Sequence, residues 1–162
     1  MSPTVYSPPI RTYTALATTT LSGSASSVTF SSISGSYRDL VLVYNGTTSA
    51  NIGVDVEFNS DATSANYSRV FMYAPPVSST TGGPQEIFYS STARTVVTCQ
   101  LQDSSATDKH KTVLSRMGAV DVLVGASALR WANTNAITSM KLTPKSGNTF
   151  TSGTFSLYGI EA

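Results

Sequence analysis

The chain has 162 residues, a formal net charge of +1 and only 12% charged residues, about half the usual share. Such a balance leaves no electrostatic footprint for nucleic acid or for an anionic membrane. Serine and threonine fill the gap, with 26 and 23 copies. That is the composition of a surface that packs against neighbours, and equally of a secreted or viral β-protein.

In chain order, "MSPTVYSPPIRTY" comes first. Proline fixes φ and removes a backbone donor, so Pro3, Pro8 and Pro9 predict an extended arm over residues 1–12. The stretch lacks the basic start and apolar core of a signal peptide, and a soluble protein made in a cytoplasm, where it need not stay, is expected. "YTALATTTL" reads as a strand with Tyr13, Ala15, Ala17, Thr19 and Leu21 on one face. "SVTF" follows a Ser/Gly turn. "RDLVLVYN" is apolar on both faces and predicts a central strand. Its core "LVLVY" is the longest apolar run, far too short for a helix across a bilayer. In "NIGVDVEFN", Ile52, Val54, Val56 and Phe58 alternate with Gly53, Asp55 and Glu57, the signature of a half-buried strand.

"NYSRVFMYA" is the next strand, and "APPVSSTTGGPQ", residues 74–85, reads as a long loop stiffened at its base by two prolines. "EIFYS", "RTVVTCQLQ", "KTVLSRMGA", "DVLVGA", "ALRWAN", "ITSMKLT" and "TFSLYGI" complete the strands. In the last, Phe155, Leu157 and Gly159 share one face and Ser156, Tyr158 and Ile160 the other. Apolar groups on both faces predict a strand interior to a sheet or facing a second subunit. Ten or so short strands, punctuated by turns such as "NSDATS" and "KSGN", predict one all-β domain over residues 13–162, a jelly-roll-like antiparallel β-sandwich.

Residues with chemistry are few. Cys99 is the only cysteine, which excludes a disulfide within the chain, and it reads as a small buried hydrophobe. His110 is the only histidine and sits between Lys109 and Lys111, where it reads as solvated. One cysteine and one histidine cannot build a zinc site. Asp55 and Glu57 fall on one face of their strand; they read as its solvent face, and are the only pair available for acid–base work on a glycan. Arg130 and Trp131 point to opposite faces, and Trp131 reads as a core anchor, or else as a sugar-stacking platform. By elimination the chain reads as a structural or binding module, with no enzyme activity and no cofactor or metal.

The stretches "FNSDATSANYS", "WANTNAIT" and "FTSGTFSLYGI", in that order, resemble a group of small virion proteins of tailed bacteriophages. The resemblance covers about residues 13–160. It implies a jelly-roll-like sandwich displayed on a virion, as a capsid cement (decoration) protein or as part of a tail fibre or spike. It carries over no active-site residue. A cement protein on the capsid surface is the leading expectation, with the major capsid protein and further copies of itself, as a homotrimer, for partners, and neither nucleic acid nor membrane. The expected contacts are Tyr6, Pro8, Pro9 and Ile10 in the arm and Pro75, Pro76 and Val77 in the long loop. Under the alternative, a fibre module binding a host glycan, Tyr73 and Trp131 would make the contact.

Overall fold

The computed structural model describes residues 12–73, 78–81, 85–120 and 123–161. Twelve strands run in order: β1 (Thr14–Leu21), β2 (Val28–Phe30), β3 (Asp39–Thr48), β4 (Ile52–Phe58), β5 (Tyr67–Tyr73), β6 (Ser78–Thr81), β7 (Glu86–Ser90), β8 (Thr95–Gln102), β9 (Lys111–Ala119), β10 (Leu123–Trp131), β11 (Met140–Pro144) and β12 (Phe150–Ile160). They form two antiparallel sheets in a sandwich-like arrangement. The larger has the order β1-β12-β3-β8-β9-β10-β5-β6 and the smaller β2-β11-β4-β7.

The expected all-β sandwich is therefore present, with three local differences. Ala15 pairs with Tyr158 but Ala17 pairs with Leu157, so a bulge inserts Leu16 into β1. The bulge flips the phase of the strand. Leu16, Thr19 and Leu21 are half-buried, whereas Tyr13, Ala15 and Ala17 are exposed. The stretch 74–85, read as a loop, contains β6, which pairs with β5 from Ser68↔Thr81 to Phe71↔Ser78. Finally, "DVLVGA" and "ALRWAN" are one strand, because β10 continues through Gly125 and Ala126 in unbroken register with both β9 and β5.

Alternation builds the core. Leu40, Leu42 and Tyr44 of β3, Val97, Cys99 and Leu101 of β8, and Phe155 and Leu157 of β12 are buried against Val54, Val56 and Phe58 of β4. Tyr44 centres an aromatic cluster, with ring centroids 4.6 Å from Phe155, 5.3 Å from Phe88 and 5.8 Å from Phe150. Its hydroxyl meets Ser90 Oγ at 3.2 Å, which satisfies the polar tip.

β12 lies between β1 and β3, paired along its length on both sides. The strand at the chain's end is thus interior to the larger sheet. Its glycines have separate causes. Gly153 has φ +148° and faces Gly46 across the ladder, where a Cβ on either would meet backbone and the Tyr44 ring. At Gly159, a Cβ would occupy the space taken by the Tyr37 ring.

Candidate functional site

Two of the stretches singled out by the sequence hold the fold together. Asn59 and Ser60 turn the chain after β4 with φ of 52° and 60°, a left-handed pair that asparagine tolerates best. Asn59 Oδ1 accepts from the backbone N–H of Thr138 at 2.8 Å and of Ser139 at 3.1 Å, and its Nδ2 donates to the Ala136 carbonyl at 2.8 Å. This ties the β4–β5 turn to the β10–β11 loop. Asp61 Oδ2 accepts from Trp131 Nε1 and from Asn66 Nδ2, both at 2.8 Å, and Oδ1 accepts from the Thr63 N–H at 2.9 Å. Burial alone would raise the Asp61 carboxyl; these hydrogen bonds outweigh it and hold the group at about 2. Tyr67 completes the network, donating to the Asp61 carbonyl at 2.9 Å and accepting from the Phe58 N–H at 3.1 Å. "FNSDATSANYS" and "WANTNAIT" are therefore two halves of one hydrogen-bonded corner.

Trp131 is fully buried, its ring 5.5 Å from that of Phe58. No face is open to a sugar, so the core reading of Trp131 holds and the sugar-platform reading is corrected. Tyr73 ends β5, and its side chain lies outside the described residues. Tyr6, Pro8, Pro9, Ile10, Pro75, Pro76 and Val77 lie outside the described residues.

His110, read as solvated, and its neighbour Lys111 have opposite environments. His110 is exposed, yet Lys111 is fully buried. Its Nζ donates to the carbonyls of Ala106 at 2.7 Å, Lys109 at 2.9 Å and Thr134 at 3.1 Å. Burial lowers its pKa, and three carbonyls use all three ammonium donors. The side chain clamps the β8–β9 loop to the loop after β10. Cys99 is buried as expected; burial pushes its thiol up to about 12, against a hydrogen bond from Ser115.

Asp55 and Glu57 do share the outer face of β4, but this face is not simply solvated. Glu86 Oε2 lies 2.9 Å from Arg69 and 3.2 Å from Lys145. Glu57 meets Lys141 at 3.5 Å. Asp55 is half-buried, with Oδ1 buried and lacking a hydrogen-bond partner. Burial raises the Asp55 carboxyl to about 6, with Lys145 and Arg69 pulling it down and Glu86 and Glu57 pushing it up. Among the described residues, no group of three or more His, Cys, Asp or Glu could hold a metal ion.

The outer face of the larger sheet divides in two. On β1, β12 and β3 it is laced with hydroxyl pairs: Thr18 with Ser156, Thr20 with Thr154, and Thr47 with Thr151 and Ser152. On β9, β10 and β5 it carries a run of apolar residues, bordered by Thr98, Gln100 and Gln102 of β8 and by the row Thr112, Arg130 and Ser68. Register sets Leu114, Ala128 and Val70 in one row, Arg116, Ala126 and Met72 in the next, and Val96, Gly118 and Val124 in a third. Val70, Met72, Val96, Leu114 and Val124 are 43–68% exposed. The small residues Gly118, Ala126 and Ala128 line the middle, flanked by larger ones. The result is a trough, whose end by Ala128, Leu114 and Val70 encloses about 490 Å³. Alternation in "RTVVTCQLQ" and "KTVLSRMGA" placed Val96 and Leu114 opposite the core positions, but only the register shows that they adjoin.

Comparison with family models, with curated proteins and with solved structures finds no match to this chain.

Proposed function

We propose that this chain is a non-enzymatic structural protein of a bacteriophage virion, a capsid cement protein that binds the major capsid protein and other copies of itself. The apolar trough on β8, β9, β10 and β5 carries the reading. A monomer rarely leaves contiguous apolar surface of this kind in water, and an interface core is apolar and poor in charge. The three rows carry one charge, Arg116, and end on β8 in Val96, Thr98 and Gln100. The order of the three motifs, from the β4–β5 corner to β12, supports the virion assignment. So does a nested strand order. With β5, β6, β9 and β10 set aside, the sheets run β1-β12-β3-β8 and β2-β11-β4-β7, the order of a jelly roll made of two Greek keys.

The trough is the surface assigned to the capsid contact. Leu114→Glu places a carboxylate in the trough without touching the core. The variant is expected to keep its circular dichroism spectrum and thermal midpoint and to lose binding to heads that lack the protein. Full occupancy by a folded Leu114→Glu variant would remove the trough from the contact.

A further inference from the structure

Sheet edges expose unpaired N–H and C=O groups, and proteins normally blunt them. The described residues contain four edge strands. β2 and β6 are short, at three and four residues. The edge of β7 is covered by the larger sheet: Ser127 Oγ donates to the Ile87 carbonyl at 2.7 Å, and the Tyr89 N–H reaches Met117 Sδ at 3.2 Å. β1 differs. It is eight residues long, "TALATTTL", with no charge and no proline. Its one irregularity is the bulge at Leu16. No hydrogen bond from the described residues reaches its outer edge.

Beside that edge the sandwich is open. A cleft of about 460 Å³ lies between β1 and β2, with Leu16, Phe30, Ile33 and Leu157 among its apolar lining and serine and threonine hydroxyls around them. None of its lining residues is charged. A free edge with a groove alongside is the geometry of strand addition. An incoming extended chain bonds through its backbone and places alternate side chains in the groove.

We infer that the β1 edge and the β1–β2 cleft receive residues 1–11 of a second copy of this chain. Residues 1–10, "MSPTVYSPPI", carry no charged side chain and mix apolar with hydroxyl groups, matching the cleft. Ten extended residues reach roughly 33 Å, enough to follow the eight residues of β1 at ~3.3 Å each. The proline-free stretch Thr4–Ser7 can bond to the edge, and proline is tolerated where an added strand turns its N–H side away. The copy's own arm is less suited. Antiparallel pairing with β1 through a two-residue hairpin at Arg11, Thr12 and Tyr13 would lack the Gly, Asn or Asp that type I′ and II′ turns favour. Parallel pairing would need a crossover of a dozen or more residues, which the segment does not contain. A contact of arm on neighbouring edge is heterologous, and it closes into a ring if its rotation permits. This inference rests on the self-association part of the proposed function.

The test uses purified full-length protein in solution, so it is independent of any capsid. Sedimentation velocity and native mass spectrometry should find a discrete oligomer, with three times the 17.0 kDa chain mass as the expected species. Removing residues 2–10 should give a folded monomer. The double variant Ala17→Lys, Thr19→Lys charges two β1 residues that line the cleft and should weaken association at least tenfold. A synthetic peptide of residues 1–11 should bind the truncated protein and not the truncated protein carrying both lysines. A full-length chain that stays monomeric at 100 μM overturns the inference. So does an oligomer that survives removal of residues 2–10, which would mean β1–β1 pairing or contact through the trough.

Discussion

Trp131 and Asp61, 70 residues apart in sequence, are joined by a 2.8 Å hydrogen bond from the indole Nε1 to the carboxylate Oδ2. The bond closes the corner where β4, β5 and β10 meet. The tryptophan is fully buried, so it contributes both packing and a charge-assisted hydrogen bond. Trp131→Ala should destabilise the domain by about 3–5 kcal/mol. Trp131→Phe keeps most of the ring and loses the donor, and should cost about 1–3 kcal/mol. Urea unfolding of both variants checks the order.

Asp61 also sets an acid limit. Its folded pKa of about 2 lies below the unfolded value near 3.8. The carboxylate therefore contributes stability that is complete above pH 4 and is lost as pH falls towards 2. Asp61→Asn should be less stable than the parent at pH 7 and should close most of that gap at pH 2. An equal deficit at both pH values would assign the loss to geometry instead of charge.

Asp55 works in the opposite sense. Its folded pKa, about 6, lies above the unfolded 3.8. The folded state holds the proton more tightly, so this group's contribution is complete below pH 4 and is lost as pH rises through 6. Glu57, Glu86, Lys141, Lys145 and Arg69 share this patch of surface. Asp55→Asn cannot titrate and should flatten the decline between pH 4 and 6. Chemical denaturation at pH 4, 5, 6 and 7 reads the slope directly.

Lys111→Met keeps the aliphatic stem but leaves the carbonyls of Ala106, Lys109 and Thr134 without the ammonium that joins them. A loss of roughly 3 kcal/mol or more is expected. Faster amide exchange in residues 103–110 and 132–136 should accompany it. A variant as stable as the parent would mean that water replaces the clamp.

The two chain ends should respond differently. Removing Leu157–Ala162 deletes a strand segment paired on both sides, together with Leu157 from the core, and should unfold the domain. Removing residues 1–10 should leave the thermal midpoint of the isolated domain unchanged. Cys99 gives a convenient readout, because its buried thiol should react with a disulfide reagent only as fast as the domain opens.

The strands were largely legible because one residue in two faces the core, and period two survives in a low-charge chain. "TFSLYGI" could be read as interior because both its faces carry apolar groups. The phase of β1 could not, since the bulge that inserts Leu16 depends on pairing with a strand about 140 residues away. β6 was invisible because "SSTT" has no apolar alternation; it forms as a neighbour of β5. Burial of Lys111 was not legible beside an exposed His110, because only the meeting of two loops makes a carbonyl site for it. Trp131 was legible as core, but its bond to Asp61 was not. The trough and the β1–β2 cleft are products of register and of sheet packing, so their residues carried no local signal.

The most direct test of the proposed function is the position of this protein on the particle that carries it. Purified virions labelled with a gold-conjugated antibody against the chain should show label over the head shell. Reconstruction of the shell should place sandwich-sized density on the capsid surface, with the face of β9 and β10 against the major capsid protein. Label confined to the tail, or none on intact particles, would contradict the cement assignment.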